Sequence, residues 1–295
     1  MVLNTSPQAN ISFQSSGRSW HFEDRGGYQS RNTGTFHLLF EALKAFPPSQ
    51  TKSSPVFHVW TDDFPPASQP SPGIHLAYCR SASQHYATLI PDFLFWSWPE
   101  VGVPDYPLLI SEMERAGSVP PEFEEVFWIG NPRVHQSRQR LLDIGGRRGD
   151  AKLIAMEWMP QGPEHLPSDV AMTTRDNRYT SLPDHCRYRF LVDVEGRGYS
   201  ARLKALLFSR RMVFLQCRPW EEFFFRNLKP HVHYLPVERS LKDFTKKLDW
   251  ARAHPLECER IAENAYRFAR KHLTRDAAVR YLREILAEKL RDTGQ

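Results

Sequence analysis

The sequence predicts an α/β fold with parallel sheets, and two observations point to that class. In both halves of the chain, short apolar segments of strand length alternate with segments whose apolar residues recur at helical spacing. Helical crossovers between such strands produce parallel sheets, whose ligands bind beyond the carboxyl ends of the strands. The 295 residues fit one large domain or two of modest size.

In the first part of the chain, the pattern predicts one helix and two strands. Residues 1–17 are polar and are expected to be frayed. Apolar residues at helical spacing precede Pro47 and Pro48, which end the helix. The predicted elements are a helix over 33–46, strands over 55–60 and 73–78, a proline- and serine-rich loop over 65–72, and a linker over 117–121.

The rest of the chain continues the alternation and ends in helices. A capping pattern at Ser240 and Asp243 introduces the helical C-terminal third. The predicted strands are 126–129, 152–156, 190–194 and 212–216, and the predicted helices are 201–208, 241–251, 255–273 and 274–290.

The composition excludes several other classes of protein. Hydrophobic residues make up 41% and charged residues 25% of the chain, which excludes a disordered protein. No apolar run approaches the roughly 18 residues that span a bilayer, so we expect no transmembrane segment. The four cysteines lie far apart, which excludes a zinc ribbon and a dense disulfide scaffold. The polar start lacks the apolar stretch of a secretory signal, so we expect a cytoplasmic location, with association at a membrane face left open.

The charge balance favours a small anionic ligand over a nucleic acid. The chain carries 39 basic and 34 acidic residues, and its arginines are spread out rather than clustered in a stripe. We therefore expect no nucleic-acid partner, whereas a nucleotide diphosphate suits the net charge of +5. Aromatic residues reach 13%, which indicates large cores or surfaces that stack on sugars and bases.

The strongest local signal is the segment FLVDVEGRGYSARLK, residues 190–204. An apolar strand runs into a turn that contains Gly198, and a helix is expected to start near Ser200. A helix N-terminus presents free N–H groups and a partial positive charge, both suited to phosphate. Ser200 is expected to cap this helix or to donate to a phosphate oxygen, while Arg202 and Lys204 add positive charge. The alternative is an ordinary βα turn with a solvated basic helix.

A second strand end carries a similar combination of residues. In FWIGNPRVHQSRQR, residues 127–140, the strand ends at Gly130, and Arg133 and Arg138 follow. Two basic, glycine-containing strand ends could converge on one anion. The alternative is a surface turn with solvated arginines.

Acidic and aromatic residues provide three further signals. Asp62 and Asp63 follow the strand PVFHVW, where a carboxylate that faces a cleft acts as a general base, although aspartate before Phe-Pro more often forms a turn or cap. A metal site is one alternative function, since Asp193 and Glu195 share a strand face like the paired acids of metal-dependent sugar transferases. In PDFLFWSWPEVG, three side chains could stack on a sugar and bind its hydroxyls, or form core: Trp96, Trp98 and Glu100.

The stretch from residue 190 to 273 resembles the family-90 glycosyltransferases. This family includes the protein O-glucosyltransferases of the Rumi type, fungal capsule proteins and bacterial lipopolysaccharide-modifying relatives. The resemblance is carried by LVDVEGRGYSARLKALLFSRRMVFLQ, EEFFFRNLKPHVHYLPV and IAENAYRFARKHLT, of which LKPHVHYLPV is the most specific. It extends more weakly upstream to FWIGNPRVHQSRQR, PDFLFWSWPEVG and VWTDDFPP.

The resemblance implies a GT-B architecture, in which two Rossmann-like domains face a cleft. An acceptor-side domain would then span 1–120, a UDP-sugar domain 121–273, and a C-terminal helix at 274–295 would pack back towards the first domain. It also implies an inverting transfer from a UDP-sugar, with glucose or xylose as the donor sugar and no metal or other cofactor required. The acceptor would be a hydroxyl of a glycan, a lipopolysaccharide or other lipid-linked saccharide, or a protein, which fits a role in polysaccharide or lipopolysaccharide biosynthesis.

The family motifs assign roles to single residues of this chain. An R-D-Y-P-like motif places the catalytic base on Asp63, with Asp62 where an arginine is common. That departure leaves a non-catalytic nucleotide- or glycan-binding relative as one alternative. The paired acids Asp193 and Glu195 leave a metal-dependent sugar transferase as another. The implied donor residues are Gly130, Arg133, Arg138, Gly198, Ser200, Arg202 and Lys204, and the implied sugar or acceptor residues are Asp62, Trp96, Trp98 and Glu100.

Overall fold

A computed structural model describes residues 7–48, 54–156 and 179–292 of the chain. The strands are β1 Ile11–Ser16, β2 Ser19–Asp24, β3 Phe57–Trp60, β4 Ile74–Ala77, β5 Cys79–Arg80, β6 Thr88–Leu89, β7 Phe123–Gly130, β8 Ala151–Ala155, β9 Tyr188–Asp193, β10 Met212–Gln216, β11 Glu221–Glu222 and β12 Leu235–Val237. The helices are α1 Gln29–Leu43, α2 Tyr106–Gly117, α3 Gln136–Gly145, α4 Leu203–Leu206, α5 Phe244–Ala253, α6 Pro255–His272 and α7 Arg275–Asp292.

The elements divide into two compact units, each with its own sheet. Unit 1 comprises Met1–Trp98, Pro219–Phe223 and Arg275–Gln295, and unit 2 comprises Pro99–Arg218 and Phe224–Thr274. The predicted α/β class is confirmed, because both sheets contain parallel strands and are accompanied by helices. Two such α/β units are the components of the expected GT-B architecture. The first boundary between the units lies after Trp98, whereas the sequence predicts it at residue 120. The reason is that α2 belongs to unit 2, where Gly117 lies against the backbone of Ser209.

The sheet of unit 1 is mixed, and its order is β2-β1-β3-β4-β6. Strands β3, β4 and β6 are parallel, whereas β1 runs antiparallel to both β2 and β3. The expectation that residues 1–17 are frayed is therefore wrong for the strand β1. Its alternating pattern buries Ile11 and Phe13, and Phe13 stacks on Phe57 of β3 with ring centroids 4.6 Å apart. A short segment with only two large apolar side chains gives little signal in the sequence alone.

The helices of unit 1 pack closely on the rest of that unit. Gly34 lets α1 approach the chain near Phe93, since a Cβ at Gly34 would lie 2.8 Å from the Phe93 carbonyl oxygen. Hydrogen bonds from Arg275, Tyr281 and Arg283 join the C-terminal helix α7 to the same unit. Arg283 donates to the Glu41 carbonyl oxygen at 2.9 Å, and the Tyr281 hydroxyl donates to the Leu89 carbonyl oxygen at 3.3 Å.

The sheet of unit 2 is parallel throughout, and its order is β12-β10-β9-β7-β8. If these five strands are numbered 1 to 5 in chain order, the sheet read from the β8 edge has the doubly wound order 2-1-3-4-5. The direction of winding therefore reverses between β7 and β9. Helices α3, α5 and α6 contribute to the buried core around these strands. Folds of this order bind ligands beyond the carboxyl ends of the strands at the reversal point.

Two other predictions about secondary structure have clear outcomes. The helix predicted over 201–208 is reduced to the four residues of α4, because the chain turns at Ser209 and adopts a positive φ of 54° at Arg210. The three C-terminal helices are confirmed as α5, α6 and α7. Across the described part of the chain, no helix combines the length and the hydropathy that crossing a bilayer requires.

Candidate functional site

The two glycine-containing strand ends singled out by the sequence meet at the reversal point of unit 2. β7 ends at Gly130, and its neighbour β9 ends at Asp193. Arg202 lies across the end of β7, where its Nη1 donates to the Ile129 carbonyl oxygen at 2.5 Å. A Cβ at Gly130 would lie 2.7 Å from the Trp128 ring and 3.3 Å from Nη2 of Arg202, so glycine makes room for both side chains. Burial lowers the pKa of the Arg202 guanidinium.

Arg138 of α3 joins the loops that follow the two strands. It is 9% exposed, and its Nε donates to the Glu195 carbonyl oxygen at 3.2 Å while its Nη1 donates to that of Asn131 at 3.2 Å. A Cβ at Gly196 would lie 3.3 Å from Nη2 of the same guanidinium. The structure therefore brings Gly130, Arg138 and Arg202 together, whereas Arg133 is exposed on the loop between β7 and α3.

Ser200 does not cap the helix that follows it, contrary to one of its two expected roles. Its Oγ donates to Oδ1 of the buried Asp193 at 2.6 Å, and α4 starts three residues later with Arg202 at the N-cap position and no side-chain cap. Lys204 is fully buried, donates to the Ala201 carbonyl oxygen at 3.0 Å and lies over the Tyr199 ring. In the turn itself, Gly196 and Gly198 are buried, whereas Arg197 between them is exposed.

The two acidic side chains of this edge have protein partners. Arg218, which sequence reasoning missed, donates from Nη1 to Oδ2 of Asp193 at 2.9 Å, and both side chains are 1% exposed. Arg239 donates from Nε to Oε1 of the buried Glu195 at 3.3 Å. Within the described ranges, no group of three or more His, Cys, Asp or Glu side chains is arranged to hold a metal ion.

The edge has a surplus of positive charge. Among the described residues, five cationic side chains contact this edge or its turn, and only two of them pair with the carboxylates of Asp193 and Glu195, which leaves a surplus of three. A partly buried cluster of this kind suits a multiply charged anion, and guanidinium groups bind phosphate oxygens in pairs. The five cationic residues are Arg138, Arg202, Lys204, Arg218 and Arg239.

Unit 1 presents a second candidate site, directly after β3. Asp63 is 30% exposed at its side chain and pairs with Arg31 of α1, whose Nη1 and Nη2 both lie 3.2 Å from its Oδ1. Asn10 fixes the neighbouring residues, since its Nδ2 donates to Oδ2 of Asp62 at 3.3 Å and its Oδ1 accepts from the Thr61 backbone N–H at 2.9 Å. The carboxylate of Asp63 is thus oriented by a cation and reached by solvent, as a general base requires.

Sequence reasoning missed Arg31 and Asn10 because no local pattern connects them to the aspartates. Asn10 directly precedes β1, a strand that the sequence did not predict. Arg31 lies in the first turn of α1, which begins at Gln29 rather than at residue 33.

The aromatic segment is divided between the two units. Trp96 and Trp98 belong to unit 1, and Glu100 belongs to unit 2. The Trp96 ring already stacks on His37, with centroids 4.5 Å apart, and on the Arg275 guanidinium at 4.3 Å. Trp98 packs edge-on against Phe93 at 5.0 Å, and the buried Oε2 of Glu100 has no hydrogen-bond partner within the described ranges. Contact of these residues with a sugar stays a prediction, to which Trp96 would contribute only its ring edge.

The chain is similar to several known proteins. Residues 51–290 match the model of the family described as Glycosyl transferase family 90. The chain is 26% identical over 274 residues to protein O-glucosyltransferase 1 of Homo sapiens, which covers 88% of this chain and 67% of the human protein. It is 26% identical over 212 residues to O-glucosyltransferase rumi of Drosophila pseudoobscura pseudoobscura, which covers 68% of this chain and 51% of the fly protein. Among solved structures, Anabaena HepE in complex with UDP and glucose is 12% identical with a TM-score of 0.44, over 72% of this chain and 62% of HepE.

Proposed function

The chain belongs to glycosyltransferase family 90, and from this membership we propose that it transfers a sugar from a UDP-sugar to an acceptor hydroxyl group with inversion at the anomeric carbon. The observation that carries the proposal is the convergence of Gly130, Arg138 and Arg202 at the reversal point of a doubly wound sheet. The surplus of positive charge there suits the diphosphate of the donor.

In this proposal, the donor diphosphate binds at the carboxyl edge of unit 2. Arg138 is buried and Arg202 is partly buried, and backbone carbonyls fix the positions of both guanidinium groups, so they are preorganised for phosphate oxygens. Negative charge grows on the leaving UDP as the sugar–phosphate bond breaks, and these groups therefore stabilise the transition state more than the bound donor. The exposed Arg133 and the turn residues Gly198, Ser200 and Lys204 complete the proposed donor site.

The Ser200 hydroxyl has a specific role in the proposal. Its proton is directed to Asp193 in the structure, so donation to a phosphate oxygen requires the hydroxyl to rotate away from that carboxylate. Arg218 keeps Oδ2 of Asp193 paired while Ser200 turns.

Asp63 is the proposed general base. It takes the proton of the acceptor hydroxyl as the oxygen attacks the anomeric carbon in line with the leaving diphosphate. Arg31 orients the carboxylate through the hydrogen bonds to Oδ1, and it supplies the arginine that this sequence lacks at the position of Asp62. Glucose is the favoured donor sugar because the related human and fly proteins are named O-glucosyltransferases, and a protein hydroxyl is the favoured acceptor on the same ground. Xylose as donor sugar and glycan or lipid-linked acceptors are the alternatives.

We propose that the transfer needs no metal ion. Asp193 and Glu195 are paired with Arg218 and Arg239, so a divalent ion at these carboxylates would have to displace two arginines. This pairing disfavours the metal-dependent alternative.

UDP release from a panel of UDP-sugars, with and without a chelator, tests the proposal. Serine-containing peptides, glycans and lipid-linked saccharides serve as acceptors. Chelator-resistant release from one donor supports a metal-independent transferase and identifies its sugar. Loss of release on adding chelator contradicts the metal-independent part. UDP binding without release from any donor and acceptor pair supports the non-catalytic relative instead.

A further inference from the structure

Arg218 has a property that its pairing with Asp193 does not explain. It follows β10 by two residues, at the same carboxyl edge as the candidate donor site, and its side chain is 1% exposed. Nη1 donates to Oδ2 of Asp193 at 2.9 Å. The other two nitrogens, Nε and Nη2, are buried, and neither has a hydrogen-bond partner among the residues that the structure describes.

Two aromatic side chains of unit 2 lie near the Arg218 guanidinium. The guanidinium carbon lies 5.7 Å from the centre of the Phe225 ring, and Tyr234 is close enough for the Arg218 charge to oppose the rise in its pKa that burial causes. A buried N–H group without an acceptor destabilises a fold, and such groups are rare in folded proteins. Two of them on one side chain indicate that an acceptor belongs to the functional state.

The chemistry of the two nitrogens specifies the acceptor. The Nε–H and one Nη2–H bond of a guanidinium are parallel and form one edge of its plane. This edge matches two oxygens of a single phosphate or carboxylate group, which it binds with two charge-assisted hydrogen bonds. The remaining nitrogen already holds Asp193, so the side chain is fixed while this buried edge lacks an acceptor among the described residues.

Asp193 connects the Nε–Nη2 edge of Arg218 to the turn of the donor site. One oxygen of its carboxylate accepts from Ser200 and the other from Arg218. We propose that Arg218 binds a phosphate group of the donor diphosphate through its Nε–Nη2 edge, beside the group held at Ser200. This inference rests on the proposed function, since it takes the diphosphate from the UDP-sugar.

The test compares the binding of UDP and of uridine, measured by NMR titration of the full chain. The variants are Arg218→Lys, which keeps the charge beside Asp193 but lacks the planar edge, and Arg218→Gln, which covers the case that the lysine variant does not fold. The matched control is Arg226→Lys, an exposed arginine of the same unit. Thermal melting confirms that each variant is folded.

We expect Arg218→Lys to weaken UDP binding by about tenfold or more, the scale of a charged hydrogen bond, and to leave uridine binding and the control unchanged. Equal UDP affinity in the wild type and in the folded variant overturns the role of Arg218 while leaving the proposed function standing. Equal weakening of UDP and uridine also overturns it, because the residue then acts on the fold. An effect confined to UDP-glucuronic acid assigns the edge to a sugar carboxylate and overturns the phosphate assignment. A wild type that binds no UDP refutes the proposed function and the inference together.

Discussion

The ion pair between Asp193 and Arg218 should be strongly coupled in its effect on stability. Both side chains are 1% exposed, and their nitrogen and oxygen atoms are 2.9 Å apart. Asp193→Asn leaves the guanidinium buried without its counter-charge, and Arg218→Met leaves the carboxylate in the same state. Each single change should lower the free energy of unfolding by about 3–5 kcal/mol. The double variant removes both charges, so it should lose about 2–3 kcal/mol less than the sum of the two single variants.

A double-mutant cycle measured by urea unfolding at neutral pH tests this coupling. The control cycle uses Glu122 and Arg187, whose atoms are 2.8 Å apart but whose side chains are 56% and 49% exposed. Because water and salt screen exposed charges, the control pair should show no measurable coupling. Additive losses at Asp193 and Arg218, or coupling no larger than in the control, would refute the argument that burial makes this pair important for the fold.

Two further predictions concern other parts of the fold. Burial lowers the pKa of His185 from its ordinary 6.5 to about 3, so the folded state binds a proton less readily than the unfolded state. Stability should therefore fall as the pH drops from about 6.5 towards 3, and His185→Gln should reduce this fall; parallel melting-temperature curves from pH 7 to 4 would contradict it. Gly34→Ala should destabilise unit 1 by about 1–3 kcal/mol, because the new Cβ would lie 2.8 Å from the Phe93 carbonyl oxygen. Gly149→Ala, whose Cβ would enter open space, is the control in thermal melting, and an equal effect of the two changes would count against this close approach.

The features that the sequence predicts well are those with a local cause. An apolar run that ends at glycine specifies a strand and its turn, so the ends of β7 and β9, with Gly130 and the turn before Ser200, could be located before the fold was known. The order of the strands is not local, and only the structure shows that these two ends are neighbours at the reversal point.

The residues that sequence reasoning missed depend on contacts between distant segments. Arg31 reaches Asp63 from another element, and Arg218 reaches Asp193 from the end of the adjacent strand. Nothing in the sequence around either arginine distinguishes it from an arginine on a solvated surface. The same reasoning offered Ser200 as a helix cap or as a donor to a phosphate oxygen, because the pattern shows a serine before a helical run. In the structure, its hydroxyl donates to the nearby carboxylate of Asp193 instead of capping the helix.

The most direct test of the central claim compares UDP release by the wild type, Asp63→Asn and Asp62→Asn with UDP-glucose in the presence of a chelator. Asp62 is the matched control, since it adjoins the proposed base but is held by Asn10 rather than by Arg31. The account predicts that Asp63→Asn loses about 10²–10⁴-fold in turnover and still binds UDP, whereas Asp62→Asn keeps most of its activity. Turnover by Asp63→Asn equal to that of the wild type would contradict the account.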